Sequence, residues 1–261
     1  MTQVSQKTSP SLEDVRQFWD KNPLSSAAIN DEPGTPAFFV RYDKLREMNE
    51  PVPFAKSLHE YDRFSGKRVL EVGCGNGYTL GKYAQAGAEV YGIDVTETAV
   101  DISRKRFVFQ KLKGDFIVGN AEDLPYENDF FDCVCSMGVL HHVPDTEKAV
   151  SEIHRCLKPG GRLIVMVYHR DSIPYRVVMP LRSLLTGKSL QQLVNEVDGA
   201  GNPKGDVYSK KELKELLRQF RELEIFCELL QPQKLRQLLP TLIAGKLGRK
   251  WGWFLYAKAY K

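Results

Sequence analysis

Glycine stands at every second position of Glu71-Val-Gly73-Cys-Gly75-Asn-Gly77, between a short apolar run at Arg68 to Val72 and a helical pattern carrying Leu80, Tyr83 and Ala84. Without a Cβ, such a loop turns sharply and lets another group come close to the backbone. A strand that ends in a glycine loop and runs into a helix begins a βαβ unit, and βαβ units require a parallel sheet. A structural turn alone would use the same glycines, so the rest of the chain has to decide what the loop is for.

The rhythm continues downstream. Strands are expected at Glu89 to Ile93, Asp115 to Gly119, Asp132 to Ser136 and Arg162 to Tyr168, with helices at Thr98 to Phe109 and Thr146 to Leu157. The runs VLEV, VYGI and LIVMVY are apolar without alternation, as strands covered on both faces should be. After Tyr168 the pattern breaks into an insertion at 170–207 that ends in a flexible stretch, Asp198 to Gly205. Ser209 and Glu212 form a capping box for a helix with Leu213, Leu216, Leu217 and Phe220 on one face, and strands follow at Glu224 to Leu229 and Trp253 to Tyr260. Upstream, residues 1–10 are expected to be disordered. Ser11 and Asp14 open a helix with Val15, Phe18 and Trp19. Residues 22–40 read as loop, and a helix over Tyr42 to Met48 is interrupted at Pro51-Val-Pro53. The division is a segment at 1–60 and a domain at 61–261 holding the insertion.

The chain has 261 residues, 42% hydrophobic and 27% charged, with a net charge of +4. These values suit a folded domain and exclude global disorder. So small a basic excess gives no reason to expect a nucleic-acid partner. The N-terminus lacks the apolar core of a secretory signal, and the run Leu163 to Tyr168 is too short to span a bilayer. Cys74, Cys133, Cys135, Cys156 and Cys227 have neither disulfide-framework nor zinc-site spacing, so free thiols, a cytoplasmic location and no metal are expected.

Two departures from the dinucleotide fingerprint bear on the loop. Position 78 is not glycine, and Glu71 would repel a pyrophosphate. A cationic amino group tolerates that carboxylate, which suits S-adenosylmethionine. Asp94, 17 positions beyond Gly77, is placed to accept two ribose hydroxyls, with a helix cap as its competing role. Polar groups in Gly119-Asn120-Ala121-Glu122-Asp123-Leu124-Pro125 can read an adenine edge. Further motifs are Phe131 to His142 and a tight turn at Leu157-Lys158-Pro159-Gly160-Gly161.

In this order the motifs resemble the class I S-adenosylmethionine-dependent methyltransferases, specifically the methyltransferase domain 11 or quinone-methylase-like group, strongly over about residues 60–170. The resemblance implies an α/β fold: a Rossmann-like three-layer sandwich on a seven-stranded, mostly parallel sheet whose last strand is antiparallel, with an N-terminal helical cap and an insertion after strand 5. It also implies S-adenosylmethionine as cofactor, S-adenosylhomocysteine as product and a small-molecule acceptor. The cofactor candidates are Glu71, Gly73, Cys74, Gly75, Gly77, Asp94, Val95, Asn120, Ala121, Glu122, Ser136, Met137 and Gly138. Asn120 departs from the acidic residue usual in the family, although an amide oxygen can still accept from an adenine amine. Phe18-Trp19-Asp20, Pro23 and Arg41-Tyr42 resemble segments that cover a substrate pocket; the alternative is that Phe18 and Trp19 only anchor their helix.

A sulfonium is already a good leaving group, so the protein mainly has to align a nucleophile and exclude water. For an oxygen or carbon nucleophile a base helps. His141, His142, Tyr168 and His169 lie at the carboxyl edge of the sheet and are the candidates, His141 first; packing around the turn before Pro144 is the competing role for the histidine pair. Two other readings carry less: a nicotinamide-dependent oxidoreductase, opposed by Glu71 and the missing third glycine, and a lipid- or quinone-directed enzyme touching a membrane through the basic and aromatic stretch Leu235 to Trp253.

Overall fold

The computed structural model describes residues 10–23, 29–228 and 241–261. The disorder expected for 1–10, the end of the strand expected at Leu229 and the first residues of the 235–253 stretch lie outside the described residues, apart from residue 10.

Seven strands form one sheet in the order β3-β2-β1-β4-β5-β7-β6. They are β1 (Arg68–Val72), β2 (Glu89–Asp94), β3 (Asp115–Val118), β4 (Phe131–Met137), β5 (Leu157–Tyr168), β6 (Arg221–Glu228) and β7 (Phe254–Tyr260). Strands β1 to β5 pair in parallel, and β7 runs antiparallel to both β5 and β6. The expected mostly parallel sheet with an antiparallel last strand is the observed one. Its centre is apolar on both faces: Leu163, Ile164, Val165 and Val167 of β5 are all buried, each worth ~1.5–3 kcal/mol when fully removed from water. Helices α4 (Tyr78–Gln85), α5 (Glu97–Gln110) and α6 (Thr146–Cys156) lie between the strands in sequence, and α9 (Lys210–Leu216) precedes β6.

Three local expectations change. Helix α2 (Pro36–Asn49) starts inside the supposed loop, because the Thr35 hydroxyl accepts from the Phe38 amide and Pro36 fits a first helical turn. The Leu157 to Gly161 turn belongs to β5, which shifts register beside β4 where Gly160 adopts φ 76°. The stretch Asp198 to Gly205 is tied down: Asn195 donates to the Pro203 carbonyl and accepts from the Gly205 amide, and Asn202 is buried.

At the N-terminus, α1 (Leu12–Lys21) carries the expected Ser11–Asp14 capping box, and α3 (Val52–His59) follows α2. Phe38, Phe39 and Tyr42 of α2 pack with Ile29, Tyr78 and Ile102. Arg106 of α5, fully buried, locks this cluster to the glycine loop by donating to the Asn76 carbonyl at 2.7 Å and to Asp43 at 2.7 Å while lying 4.5 Å from the Phe39 ring. The insertion contains a π-turn (Pro174–Val178), α7 (Met179–Thr186) and α8 (Leu190–Asn195); Tyr175, Met179, Leu193 and Val194 pack on Tyr168 at the end of β5. Helix α10 (Thr241–Trp251) leads into β7. Among the described residues no helix is long and apolar enough to cross a membrane.

Candidate functional site

The carboxyl ends of β1, β2, β3 and β4 open into one cavity with about 1010 Å³ of empty volume, counted out to its mouth. Its floor comes from the loops after these strands, and Leu12, Val15 and Trp19 of α1 with Phe38 of α2 line it from the N-terminal helices. This is where open α/β sheets bind ligands, since neighbouring strand ends diverge there. Trp19 lines the cavity as the covering role requires, while Phe18 is buried and Arg41 pairs with Asp31 at 2.6 Å.

Gly73, Gly75 and Gly77 have φ of 76°, 53° and 74°, conformations that side-chain-bearing residues adopt at a cost. A Cβ on Gly73 would stand 2.2 Å from a Val139 methyl, so the loop and the segment after β4 meet only because that atom is missing. Asn76 completes the loop by accepting from the amide of Tyr78, the first residue of α4. Glu71 is buried on β1; burial pushes its carboxyl up to about 8, although Thr79, Arg46 and the Leu80 amide favour its charge. Its Oε2 has no hydrogen-bond partner. Glu71 itself does not line the cavity; it sits one residue behind Val72, which does, and a buried acceptor left open is matched by a cationic donor such as an amino group.

Asp94 accepts from the Gly75 amide through Oδ2 at 3.1 Å and from the Thr96 amide and hydroxyl through Oδ1 at 3.1 and 3.0 Å. Burial raises its carboxyl, and these donors work against the rise. It therefore holds the turn before α5 and still lines the cavity, with one lone pair left on Oδ2. Val95, Asn120, Ala121, Met137 and Gly138 line the cavity as well. Glu71, Cys74, Gly77, Glu122 and Ser136 do not. The Cys74 thiol faces Ser103, Gly77 packs on Ser103, the Glu122 carboxylate receives the Asp145 amide, and Ser136 donates to the Val72 carbonyl at 3.1 Å.

The four base candidates separate. His169 is bonded to the Gly252 carbonyl, away from the cavity, and His141 is fully buried among rings with both nitrogens unpartnered. Burial holds His141 well below 6.5, hence neutral. His142 is the histidine that lines the cavity, with Trp19 edge-on to it at 5.0 Å. Its Nδ1 lies 2.6 Å from the Lys204 carbonyl. A carbonyl can only accept, so Nδ1 carries the proton and Nε2 is bare. Nε2 stands 3.4 Å from Asp198 Oδ2, and Tyr168 donates to the other carboxylate oxygen at 2.6 Å. Burial keeps the Tyr168 hydroxyl protonated, well above 10. Sequence reasoning missed Asp198, Lys204 and Arg106; the first two sat in a glycine-rich stretch that read only as loop.

All five cysteines are free and buried, and burial raises each thiol. Among the described residues no cluster of His, Cys, Asp and Glu has a metal-holding arrangement.

Residues 70–165 match the Methyltransferase domain family. A ubiquinone biosynthesis O-methyltransferase of Coxiella burnetii is 31% identical over 120 residues, covering 46% of this chain and 51% of that protein. The methyltransferase GfsG of Streptomyces halstedii is 33% identical over 161 residues, covering 59% and 57%. The chain thus spans about half the length of these curated relatives. A crystal structure of a methyltransferase from Thermotoga maritima, described as a possible histamine N-methyltransferase, superposes with a TM-score of 0.57 at 23% identity, covering 86% of this chain and 96% of that one, a likeness of fold. The sheet order and the glycine loop at the end of β1 agree with that match, so residues 70–165 are similar to the Methyltransferase domain family.

Proposed function

We propose that the protein transfers a methyl group from S-adenosylmethionine to a hydroxyl of a small, largely apolar acceptor. The observation that carries the reading is the bare Nε2 of His142, on a ring that lines the cavity, facing a carboxylate that Tyr168 holds in place. A proton taken from a hydroxyl gains a home there, because Asp198 favours the imidazolium it creates. The apolar side chains of Leu12, Val15, Trp19 and Val143 suit an acceptor with little charge. The two curated relatives support methyl transfer, and the name of the first supports oxygen as the atom that receives it.

The residues fit the donor. Glu71 Oε2 would hold its amino group, the Gly73–Gly75 backbone would admit its main chain, Asp94 would accept the ribose hydroxyls and Asn120 would read the adenine. When bound, the sulfonium supplies an activated methyl carbon. The protein's own work is to orient the acceptor, exclude water beneath α1 and hold a proton at His142 Nε2. The test is calorimetric titration with S-adenosylmethionine and with NADH, followed by incubation of labelled donor with a panel of phenols, aliphatic alcohols and amines. Transfer to a hydroxyl compound with tight donor binding supports the reading; NADH binding without donor binding, or transfer to amines alone, sinks it.

A further inference from the structure

The insertion that brings Asp198 to His142 also carries an apolar stripe that no other described residue covers. Val177, Val178, Leu181, Leu184, Leu185 and Leu190 are all exposed, Leu184 by 84%, Leu185 by 79% and Leu181 by 58%. The first five fall at i, i+1, i+4, i+7 and i+8 through the π-turn and α7, the pattern of one helical face. Their neighbours Tyr175 and Met179 are buried against Tyr168, so the helix is anchored on one side and bare on the other. Isolated exposed leucines need no explanation, but a continuous stripe of this size marks a contact surface.

Charge selects the occupant. Segment 174–190 contains Arg176, Arg182 and Lys188 and no Asp or Glu. Arg176 and Arg182 are exposed, and Lys188 is held by Glu196 from α8's end. The acidic neighbour of Arg176, Asp171, lies 3.7 Å away and outside the segment. A second copy of this face would set cation against cation. An anionic lipid surface accepts both features at once, leucines at the acyl boundary and arginines at the headgroups. We infer that α7 docks the protein on an anionic membrane surface, lying in its plane. The stripe differs from the Leu235 to Trp253 stretch that composition alone pointed to, and the inference holds whichever acceptor is methylated.

The experiment is co-sedimentation of the full chain with phosphatidylcholine vesicles, with and without about 30% phosphatidylglycerol, at salt from about 0.1 to 0.5 M. Two variants accompany it: Leu181→Ser with Leu184→Ser and Leu185→Ser, and Arg176→Glu with Arg182→Glu. The inference expects binding to the anionic vesicles that weakens with salt, and a loss of at least about tenfold in each variant, with circular dichroism and donor affinity unchanged. The donor affinity reads the methyltransferase function separately from docking. Wild-type protein that stays in the supernatant, binding equal on neutral and anionic vesicles, or variants that sediment like wild type would overturn it. So would a wild-type dimer, seen by sedimentation velocity, that the leucine variant splits. If the leucine variant fails to fold, the arginine pair decides.

Discussion

The imidazole Nε2 of His142 and the carboxylate Oδ2 of Asp198 stand 3.4 Å apart with no other hydrogen-bond partner, although some 55 residues separate them in sequence. Two acceptors facing each other have room for one proton, and the hydroxyl of Tyr168 fixes the carboxylate from its far side.

His142→Ala is therefore expected to lower kcat by about a hundredfold, within the usual contribution of a general base, with donor affinity nearly unchanged. Asp198→Asn should lower kcat by about tenfold while leaving donor affinity intact. His141→Phe replaces two unpartnered buried nitrogens by carbon and should preserve both turnover and thermal stability. Steady-state kinetics with calorimetry check all three; full turnover in His142→Ala removes it from the mechanism.

Burial lowers His142 below its ordinary 6.5, and Asp198 works to raise it. The neutral form is the base, so kcat should hold steady as pH falls through 6.5 and fail only below it. In Asp198→Asn the raising charge is gone, and the acid limb should move further down. A limb that moves upward contradicts the pairing.

Glu71 is raised from 4.5 to about 8 by burial. In the folded protein it keeps its proton up to about pH 8, whereas the unfolded chain ionises above 4.5. Its contribution to stability is thus present at low pH and is lost as pH rises through about 8. The melting temperature of the ligand-free wild type should fall relative to Glu71→Gln across that window. Saturating S-adenosylmethionine should narrow the gap, because its amino group favours the carboxylate, and Glu71→Gln should bind the donor about tenfold more weakly. Parallel melting curves at every pH would refute a buried, protonated Glu71.

Gly73 and Gly160 share φ of 76°, but a Cβ at Gly73 meets Val139 at 2.2 Å and one at Gly160 meets nothing within 4 Å. Gly160→Ala should cost about 1 kcal/mol of stability and leave donor binding alone. Gly73→Ala adds a clash at the loop, about 1–3 kcal/mol more, and should weaken donor binding by at least about tenfold. Chemical denaturation and calorimetry on the pair separate strain from crowding.

Arg106→Met removes the buried cation that joins Asn76, Asp43 and the Phe39 ring. Asn76 loses a donor and Asp43 its partner, so a loss of about 3 kcal/mol is expected, with weaker donor binding because the loop loosens. Equal donor affinity in a folded Arg106→Met would limit the arginine to holding α2.

The order of the fold was legible in local sequence. Unalternating apolar runs mark strands buried on both faces, the glycine loop marks the end of β1, and Ser11 and Ser209 announce their helices, because each signal acts over a few residues. That Gly73, Gly75 and Asp94 would lie at the strand ends where the cavity opens was legible for the same reason, being set by distance along the chain from the loop. Which histidine faces the cavity was not. His141 and His142 are adjacent and chemically identical, and only the short 3-10 turn at Leu140–His142 and the packing of Tyr168 turn one into the core and the other towards the cavity. Asp198, Arg106 and the bare face of α7 were out of reach too, since each takes its meaning from a partner far away in sequence, or from the absence of one, and only the closed tertiary structure decides that.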